Sequence, residues 1–530
     1  MILASGDIPA PHLEYGQLAP MLIVFGTAIV GVLVEAFASR EWRSPIQVPL
    51  AFAGLGAAFV WTVIMAVNEK TFHVAAEGAI AVDGPTFFLQ GTILVLSLLS
   101  LLLIADRHKD NFAAQAAAMP GTEAEAESLT AGGAHTEIYP LSLFAVGGML
   151  MFPAANDLLT MFVALEVMSL PLYLLCGLAR RRRLLSQEAA LKYFLLGSFS
   201  SAFFLFGVAM LYGYAGSVRL GDIAKVIQTG MTVVPTDVAG KVQPQDANEV
   251  LLYVGVALLA VGLLFKIGAV PFHSWKPDVY QGAPTPVTAL MASGTLVAAV
   301  GALMRVFYVA LEQMRWDWRP MMWAVAIITM LVGAVVAITQ TDIKRLLAYS
   351  SVAHAGFLLT GIIATSEAGL SAVLFYLAAY GATTVGAFAV ITMVRDSGGE
   401  AGHLSRWAGL GKRSPMVAGI FAFFLLAFAG IPLTSGFTGK FAVFKAALEG
   451  GAAPLVVVGV ISSAIAAFFY VRVIVVMFFS EPEPDGPTVV VAPGTAAAVA
   501  LGLTATVILG VLPQPLLDLA GQAAGQLFVR

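Results

Sequence analysis

The sequence predicts an all-α integral membrane protein with about fourteen transmembrane helices. Of the 530 residues, 59% are hydrophobic and only 11% are charged, and the mean hydropathy is +0.88. Soluble domains have about 45–50% apolar and about 25% charged residues, so this chain has too few charges to cover a water-exposed surface. The net charge of −4 gives no sign of a nucleic-acid partner.

Apolar stretches long enough to cross a bilayer follow one another along the whole chain. A membrane-spanning helix needs about 20 predominantly apolar residues. Only Asn156 and Asp157 separate the fourth stretch from the fifth. The predicted spans are 20–38, 47–67, 84–105, 138–155, 157–178, 188–214, 250–270, 284–310, 320–339, 343–363, 369–394, 415–440, 453–479 and 489–512.

Two of these spans contain a similar interruption. The segment 263–272 in the seventh span resembles 425–433 in the twelfth, since each has a glycine and a proline inside an apolar run. Proline removes a backbone hydrogen bond, and such breaks are tolerated where protein or water satisfies the freed groups. The pattern predicts broken seventh and twelfth helices, and paired broken helices in two halves of a chain indicate a transport site.

The distribution of Lys and Arg predicts the orientation. Cytoplasmic loops of membrane proteins carry an excess of these residues. If the N-terminus lies outside, fifteen of them fall in cytoplasmic loops, including Lys276, Lys344 and the run Arg180–Arg183, and seven fall outside. With an even number of helices, both termini are then predicted on the outer side.

Several ionisable residues lie inside the predicted spans. A charge at the bilayer centre costs about 2.5–3.5 kcal/mol on insertion scales, so such residues usually face a bundle interior or a water-filled cavity. Each also has a structural interpretation. Lys192 and Lys445 could extend to the headgroups, Glu166 could form a structural ion pair, His354 could be a packing residue, and Lys266 could cap a broken helix.

The functional interpretation is a proton relay. Burial disfavours the charged form of a lysine and a neighbouring carboxylate favours it, so a lysine can change protonation when its partner moves. We expect Glu166 near Lys192 to form such a switchable pair. Lys266 would then pass a proton through water toward His354 and Lys440.

The chain contains a single cysteine, Cys176. One thiol cannot hold an iron–sulfur cluster or a structural zinc ion, and cannot form an internal disulfide. Any redox centre is therefore expected on another chain.

The segment 265–287 carries a resemblance to a known family. It resembles the signature of the antiporter-like subunits of respiratory complex I, and its Pro-Asp-Val-Tyr-Gln-Gly-Ala-Pro form, 277–284, is most similar to the N-type. The segments 191–198, 340–354 and 430–441 resemble further motifs of the family. The similarity covers about residues 15–515.

The resemblance implies an architecture and a function. It implies two inverted five-helix repeats, at about 138–310 and 320–479, between flanking helices at 20–105 and 489–512. It also implies proton translocation coupled to quinone reduction elsewhere in a hetero-oligomer of membrane subunits in the bacterial plasma membrane. No cofactor is expected on this chain, and quinone, FMN and iron–sulfur clusters are expected on other subunits.

The resemblance also assigns roles to single residues. Glu166 and Lys192 would be the coupling pair, Lys266 the channel lysine of the first half, Lys440 that of the second half, and His354 a member of the central relay. One position departs from the family pattern. Where the family often has a lysine in the eighth helix, this sequence has Leu296, so Ser293, Thr295 and ordered water would have to carry the proton there.

Two alternatives remain at this point. The chain could belong to a cation/proton antiporter or a membrane hydrogenase of the same fold, although the 277–284 form favours complex I. It could also be a structural membrane scaffold that has lost transport, as Leu296 would allow. Retention of Glu166, Lys192, Lys266 and Lys440 argues against that scaffold.

Overall fold

The structure is a computed structural model. It describes residues 13–69, 71–106, 112, 135–179, 183–235, 242–396, 399–525 and 528. Three residues of the basic run 180–183, which supported the predicted orientation, lie outside the described residues.

Helices account for nearly all of the described chain. The helices are α1 (Tyr15–Phe37), α2 (Arg40–Asn68), α3 (Gly84–Ile104), α4 (Ile138–Met151), α5 (Leu158–Cys176), α6 (Arg183–Ala215), α7 (Leu220–Thr229), α8 (Glu249–Ile267), α9 (Trp275–Gly282), α10 (Thr285–Ala310), α11 (Arg315–Ile338), α12 (Ile343–Ile363), α13 (Glu367–Met393), α14 (Leu410–Arg413), α15 (Pro415–Ala429), α16 (Ser435–Glu449), α17 (Ala453–Phe479), α18 (Pro493–Val511) and α19 (Gln514–Gly525).

The helices agree with the predicted membrane class. Among the described residues, twelve helices are long and apolar enough to cross a membrane by length and composition, and the apolar helices α4 and α15 are shorter. The fourth and fifth predicted spans are separate helices, because the chain leaves helical geometry between Met151 and Leu158. The twelfth predicted span, 415–440, was drawn too long for a single helix, since α15 ends at Ala429 and α16 begins at Ser435.

Polar residues at the helix starts explain several of these boundaries. A side-chain oxygen just before a helix accepts a hydrogen bond from one of the first backbone N–H groups, which otherwise lack partners. Asp157 accepts from the Thr160 N–H before α5, and Asp342 accepts from the Lys344 and Arg345 N–H groups before α12. In a bilayer no water competes for these groups at depth, so short polar residues set the limits of apolar helices.

Both predicted breaks are present. Gly268 directly follows the last residue of α8, and Gly430 directly follows the last residue of α15. Both glycines have left-handed backbone conformations, with φ of 77° and 84°. Glycine adopts this conformation without the steric cost of a Cβ atom, which makes it the usual residue at a helix end of this type. The chain then turns and resumes as α9 and α16.

The small β-structure lies between helices. Strands β1 (His73–Ala75) and β2 (Ile80–Val82) pair antiparallel, as do β3 (Met231–Pro235) and β4 (Val242–Asp246). A third sheet contains β5 (Val394–Asp396), β6 (Gly399–Glu400) and β7 (Thr488–Val489). The long connection after α6 therefore holds a helix and a hairpin, which the sequence pattern did not predict.

Three helices form the centre of the bundle. Nearly every residue of α10, α12 and α13 is buried, whereas α1, α2, α11, α17 and α18 leave most of their surface uncovered. Uncovered residues include large apolar side chains such as Phe37, Phe199 and Phe468, which suits a surface facing lipid or another membrane subunit. Among the ionisable groups of α12 and the broken helices, Lys266, His354 and Lys440 are buried away from this outer surface.

Close approach of α6 and α8 depends on a glycine. A Cβ atom built on Gly207 would lie 2.6 Å from the Leu259 backbone nitrogen, closer than real Cβ atoms come to other heavy atoms. Small residues at such crossings let membrane helices pack through their backbones. The crossing positions Tyr193 and Lys266, which belong to these two helices, on a common interface.

Candidate functional site

Lys266 lies on the last turn of α8, immediately before the first break. Its Nζ atom donates to Ser169 Oγ (2.7 Å) and Tyr193 Oη (3.1 Å), and only 4% of the residue is exposed. Ser169 in turn donates to the Leu165 carbonyl (2.5 Å), so its hydroxyl both accepts and donates. Lys266 is thus a buried amine held by two neutral hydroxyls.

Glu166 lies one turn before Ser169 on α5. Its Oε1 atom is buried and has no hydrogen-bond partner among the described residues. Because Glu166 and Ser169 are three residues apart, they lie on the same face of this helix. Glu166 is therefore on the side of α5 that carries the hydroxyl accepting from Lys266.

Lys192 is not paired with Glu166 in this conformation, and the switchable pair of the two residues stays a prediction. Lys192 Nζ contacts Glu188 Oε1 and Asp278 Oδ2, both at 2.7 Å. Glu188 lies one turn earlier on α6, and Asp278 reaches Lys192 from α9. These two carboxylates are closer competitors for the ammonium than Glu166 is.

Asp278 is a bridging residue that the sequence analysis did not single out. Besides Lys192, it accepts from Arg345 Nη1 of α12 at 2.5 Å, and Arg345 also donates to Gln281 (3.2 Å). The side chain of Lys192 is 40% exposed and that of Asp278 is 30% exposed, so this cluster lies at the edge of the bundle. It connects α6 with the broken helix and with the central helix α12.

His354 occupies the centre of α12 and is 2% exposed. Its Nδ1 atom lies 2.6 Å from Tyr376 Oη, and its Nε2 atom lies 3.4 Å from Tyr470 Oη. The ring also packs 4.5 Å from the Tyr380 ring. His354 therefore has a phenol at each ring nitrogen, and a phenol can either donate or accept a hydrogen bond.

Lys440 lies on the second turn of α16, after the second break. Its Nζ atom donates to the carbonyls of Phe428 (2.8 Å) and Ala429 (3.0 Å) and to Ser463 Oγ (2.9 Å). Those carbonyls belong to the end of α15, where no later helical N–H can reach them. Like Lys266, this buried lysine has only neutral hydrogen-bond partners. Lys445, by contrast, is 63% exposed and lies 3.9 Å from Glu449.

Lys276 is not a loop charge, as the orientation count assumed. It is 2% exposed and donates to the Ile267 carbonyl and to Ser351 Oγ, both at 2.8 Å. Lys344 is also buried and donates to the Ala283 carbonyl at 3.0 Å. Removing both from the cytoplasmic count leaves the predicted sign of the charge asymmetry unchanged.

The hydroxyls proposed to replace the eighth-helix lysine have other partners. Ser293 Oγ donates to the Ala289 carbonyl (2.7 Å) and Thr295 Oγ1 to the Met291 carbonyl (2.5 Å). Both lie in a π-helical turn, Met291–Thr295, directly before the buried Leu296. Since each donates its proton to its own helix, neither is directed toward Lys266 or His354.

Sequence reasoning missed the hydroxyl partners and the bridging carboxylate. Ser169, Tyr376 and Tyr470 are ordinary residues of apolar helices, and no local pattern marks them. Tyr193 lies in the recognised 191–198 segment but was not singled out. Asp278 and Lys276 both lie within the recognised 265–287 segment, so their charges inside a glycine- and proline-rich break were an available signal. Among the described residues, no group of three or more His, Cys, Asp or Glu could hold a metal ion.

The chain is similar to known proteins over nearly its whole length. Residues 155–466 match the family model described as NADH:quinone oxidoreductase/Mrp antiporter, TM. NADH-quinone oxidoreductase subunit N of Rhodococcus opacus is 63% identical, over 99% of this chain and 98% of that protein. A chain of respiratory complex I from Thermus thermophilus is 31% identical, with a TM-score of 0.73, over 95% of this chain and 99% of that chain.

One further structure defines how widely the fold is shared. A chain of the Mrp complex from Dietzia sp. superimposes with a TM-score of 0.78 over 97% of both chains, but at 22% identity this shows the fold alone. The identity of 63% to subunit N over nearly the full length, against 22% to the Mrp chain, assigns this chain to the subunit N group and not to the Mrp group. The chain therefore belongs to the subunit N family of NADH-quinone oxidoreductase, the antiporter-like, proton-translocating membrane subunits of complex I.

Proposed function

We propose that this chain carries protons across the bacterial plasma membrane through Lys266, His354 and Lys440, and that Glu166 and Lys192 control the first of them. Quinone reduction on other subunits of the complex drives the transfer. Electrons do not pass through this chain, whose described titratable groups are suited to holding and releasing protons.

The observation that carries the proposal is the neutrality of the partners. Lys266, His354 and Lys440 are buried, and each is hydrogen-bonded only to hydroxyls or carbonyls among the described residues. A buried lysine fixed by an ion pair would have to break that pair to lose its proton, at a cost of several kcal/mol. Lysines with neutral partners can gain or lose a proton without breaking an ion pair.

Control by Glu166 follows from its charge and from the position of Lys192. In the conformation described, Lys192 pairs with Glu188 and Asp278, so it does not neutralise Glu166, which lies one turn before the Lys266 partner Ser169. A nearby carboxylate favours the protonated form of a lysine. If Lys192 moved toward Glu166, it would neutralise that charge. Lys266 would then release its proton toward His354. The exchange of partners by Lys192 is the proposed switch.

We further propose the architecture of the family for this chain. Fourteen membrane passages result if α4 and the broken pair α15–α16 each cross with the twelve longer helices. Two inverted repeats, at about 138–310 and 320–479, are supported by the matching breaks at Gly268 and Gly430. With fourteen passages and the charge asymmetry of the loops, both termini lie on the outer side.

Replacing Asp278 with asparagine should reduce proton pumping several-fold in the reconstituted complex. The change removes the carboxylate that holds Lys192 and Arg345 together, so Lys192 loses one of its two resting partners. Pumping is measured as acidification of proteoliposomes after NADH addition. Wild-type pumping by Asp278→Asn would contradict a role for the cluster of Lys192, Asp278 and Arg345. Glu188→Gln is the matched variant, since it removes the other carboxylate that pairs with Lys192.

The proposed proton transfer is tested by replacing Lys440. We expect Lys440→Met to lower proton pumping at least about tenfold, less than the roughly hundredfold or more that a positioned proton-transfer group typically contributes, because the half-buried Ser463 gives water some access. The change removes the amine that donates to the end of α15, and its partners Phe428, Ala429 and Ser463 cannot hold an excess proton. The matched control is Lys445→Met, which removes an exposed lysine of the same helix and should pump normally.

The comparison separates transport from assembly. Both variants should retain the subunits and the helix content of the wild-type complex, because methionine fills the space of the lysine stem and only the hydrogen bonds of the amine are lost. Equal pumping by Lys440→Met and Lys445→Met would mean that the second break does not carry protons. The proposed function would then be wrong for this half of the chain.

A further inference from the structure

We propose that Lys276 is a proton-carrying residue of the central relay. Its amine takes the place of the lysine that the family often has in the eighth helix, where this chain has Leu296 on α10. The inference rests on the proposed function and adds a residue to it. It assigns a step to a buried charge that the relay described above leaves unused.

The surroundings of Lys276 match those of the proposed channel lysines. The residue is 2% exposed, and its Nζ atom donates to one carbonyl, Ile267 O, and one hydroxyl, Ser351 Oγ, both at 2.8 Å. Both of these hydrogen-bond partners are neutral groups. A fully buried lysine is costly to keep charged, and such residues inside membrane proteins usually mark a proton or ion pathway.

Lys276 occupies the same place at the first break that Lys440 occupies at the second. Each amine comes from the helix after the break and donates to carbonyls at the end of the helix before it. Each side chain also packs over the left-handed glycine: a Cβ on Gly268 would meet Lys276 Cδ at 2.6 Å, and one on Gly430 would meet Lys440 Cδ at 3.0 Å. If Lys440 carries protons, its positional counterpart is Lys276, because Lys266 precedes the break.

The hydrogen-bond partner of Lys276 leads toward the central histidine. Ser351 and His354 are three residues apart on α12, so they lie on the same face of that helix. The hydroxyls of Tyr280 and Tyr380 both interact with Ser351, and the Tyr380 ring packs against His354. Hydrogen bonding therefore leads from Lys276 to Ser351, one helical turn from His354, and ordered water would complete the path to the imidazole.

The transfer step conserves protons and involves no redox change. In a concerted transfer, the Lys276 ammonium gives one proton to Ser351 Oγ while the Ser351 hydroxyl gives its own proton to water, which delivers a proton to His354. Lys276 is left neutral, Ser351 and the water are unchanged, and His354 is protonated. Lys276 then regains a proton released by Lys266 across the break. Ser293 and Thr295 are not needed in this path, which agrees with the direction of their hydrogen bonds.

A structural alternative is that Lys276 merely caps the end of α8. Arginine distinguishes the two roles, since its guanidinium donates the same hydrogen bonds but cannot lose its proton in a protein. In the complete complex, Lys276→Arg should keep assembly and lower proton pumping about tenfold or more. Lys276→Gln, which can donate to Ile267 and Ser351 without a charge, should give the same loss.

A second-site variant tests the relation to Leu296 directly. Adding Leu296→Lys to Lys276→Gln places the amine where the family often has it, and should restore at least half of the lost pumping. Leu296→Lys alone serves as the control for damage to α10. Recovery in the double variant would show that the two positions supply one function.

The outcomes separate this inference from the proposed function. If Lys276→Arg and Lys276→Gln pump normally while Lys266→Met does not, the relay stands and Lys276 is only a cap. If Lys276→Gln fails to assemble but Lys276→Arg assembles and pumps normally, the cap is again the role. Normal pumping by Lys266→Met would instead overturn the proposed function itself.

Discussion

Replacing Lys266 with methionine is expected to abolish proton pumping by the reconstituted complex while the subunit still folds and assembles. A positioned proton-transfer group typically contributes about a hundredfold to ten-thousandfold, so the residual rate should be close to the leak of the vesicles. Methionine is similar in length and is unbranched, so it fills the space of the aliphatic stem without introducing a charge.

The size of the effect follows from the position of Lys266. Its amine donates to Ser169, one turn after Glu166 on α5, and both of its hydrogen-bond partners, Ser169 and Tyr193, are neutral hydroxyls. No other amine described in the structure donates to this pair of hydroxyls. Near Lys440 the half-buried Ser463 gives water some access, so a larger residual rate is expected there than at Lys266.

Control variants distinguish a loss of proton transfer from damage to the fold. Glu166→Gln should also lower pumping, because it removes the charge that favours the protonated Lys266, although the amine itself remains. Ser169→Ala deletes one hydrogen-bond partner and should have a smaller effect than either. Pumping by Lys266→Met at the wild-type rate, with normal subunit content and circular dichroism, would exclude Lys266 from the proton path.

The sequence was sufficient to predict what depends on local pattern. The positions of the helices follow from runs of apolar residues, so α12 and α17 begin and end where the tenth and thirteenth spans were drawn. The two breaks were likewise predicted, because glycine and proline limit helices by their own backbone geometry. These features need no knowledge of what lies on the other side of the bundle.

Pairing between distant residues was not predictable in the same way. Lys192 was expected beside Glu166, but Asp278, 86 residues away in the chain, reaches its amine instead. An ion pair depends on which helices pack together and on their rotation, and a hydropathy pattern fixes neither. The two buried lysines were misassigned to loops for the same reason, since Lys276 and Lys344 lie in segments that fold back into the bundle.

Asp83 and Arg305 form the second site where a large effect is expected. Replacing Asp83 with asparagine should destabilise the protein by about 3–5 kcal/mol, the usual cost of leaving one member of a buried ion pair uncompensated. Arg305 Nη1 and Nη2 donate to the two Asp83 oxygens at 2.9 Å each, and both side chains are fully buried.

The pair holds three distant parts of the chain together. Asp83 also accepts from the Thr86 N–H at the start of α3, and Arg305 Nε donates to the Pro153 carbonyl at 2.6 Å, between α4 and α5. The guanidinium lies 4.8 Å from the ring centre of Phe528, near the C-terminal end. Loss of the carboxylate would therefore leave a buried cation at the junction of several helices.

Thermal unfolding of the complex in detergent, followed by the amount of this subunit retained, measures the effect. Asp83→Asn and Arg305→Met should each lower the unfolding midpoint strongly, whereas Lys412→Met, which breaks the exposed pair with Glu481, should leave it unchanged. The double variant Asp83→Asn/Arg305→Met should be less damaged than the sum of the two single changes, because it leaves no unpaired buried charge. Additive losses, or wild-type stability of Asp83→Asn, would show that the pair does not lock these helices. This ion pair matters for the proposed transport, because the proposed relay through α12 requires the surrounding helices to keep a fixed arrangement while Lys192 exchanges partners.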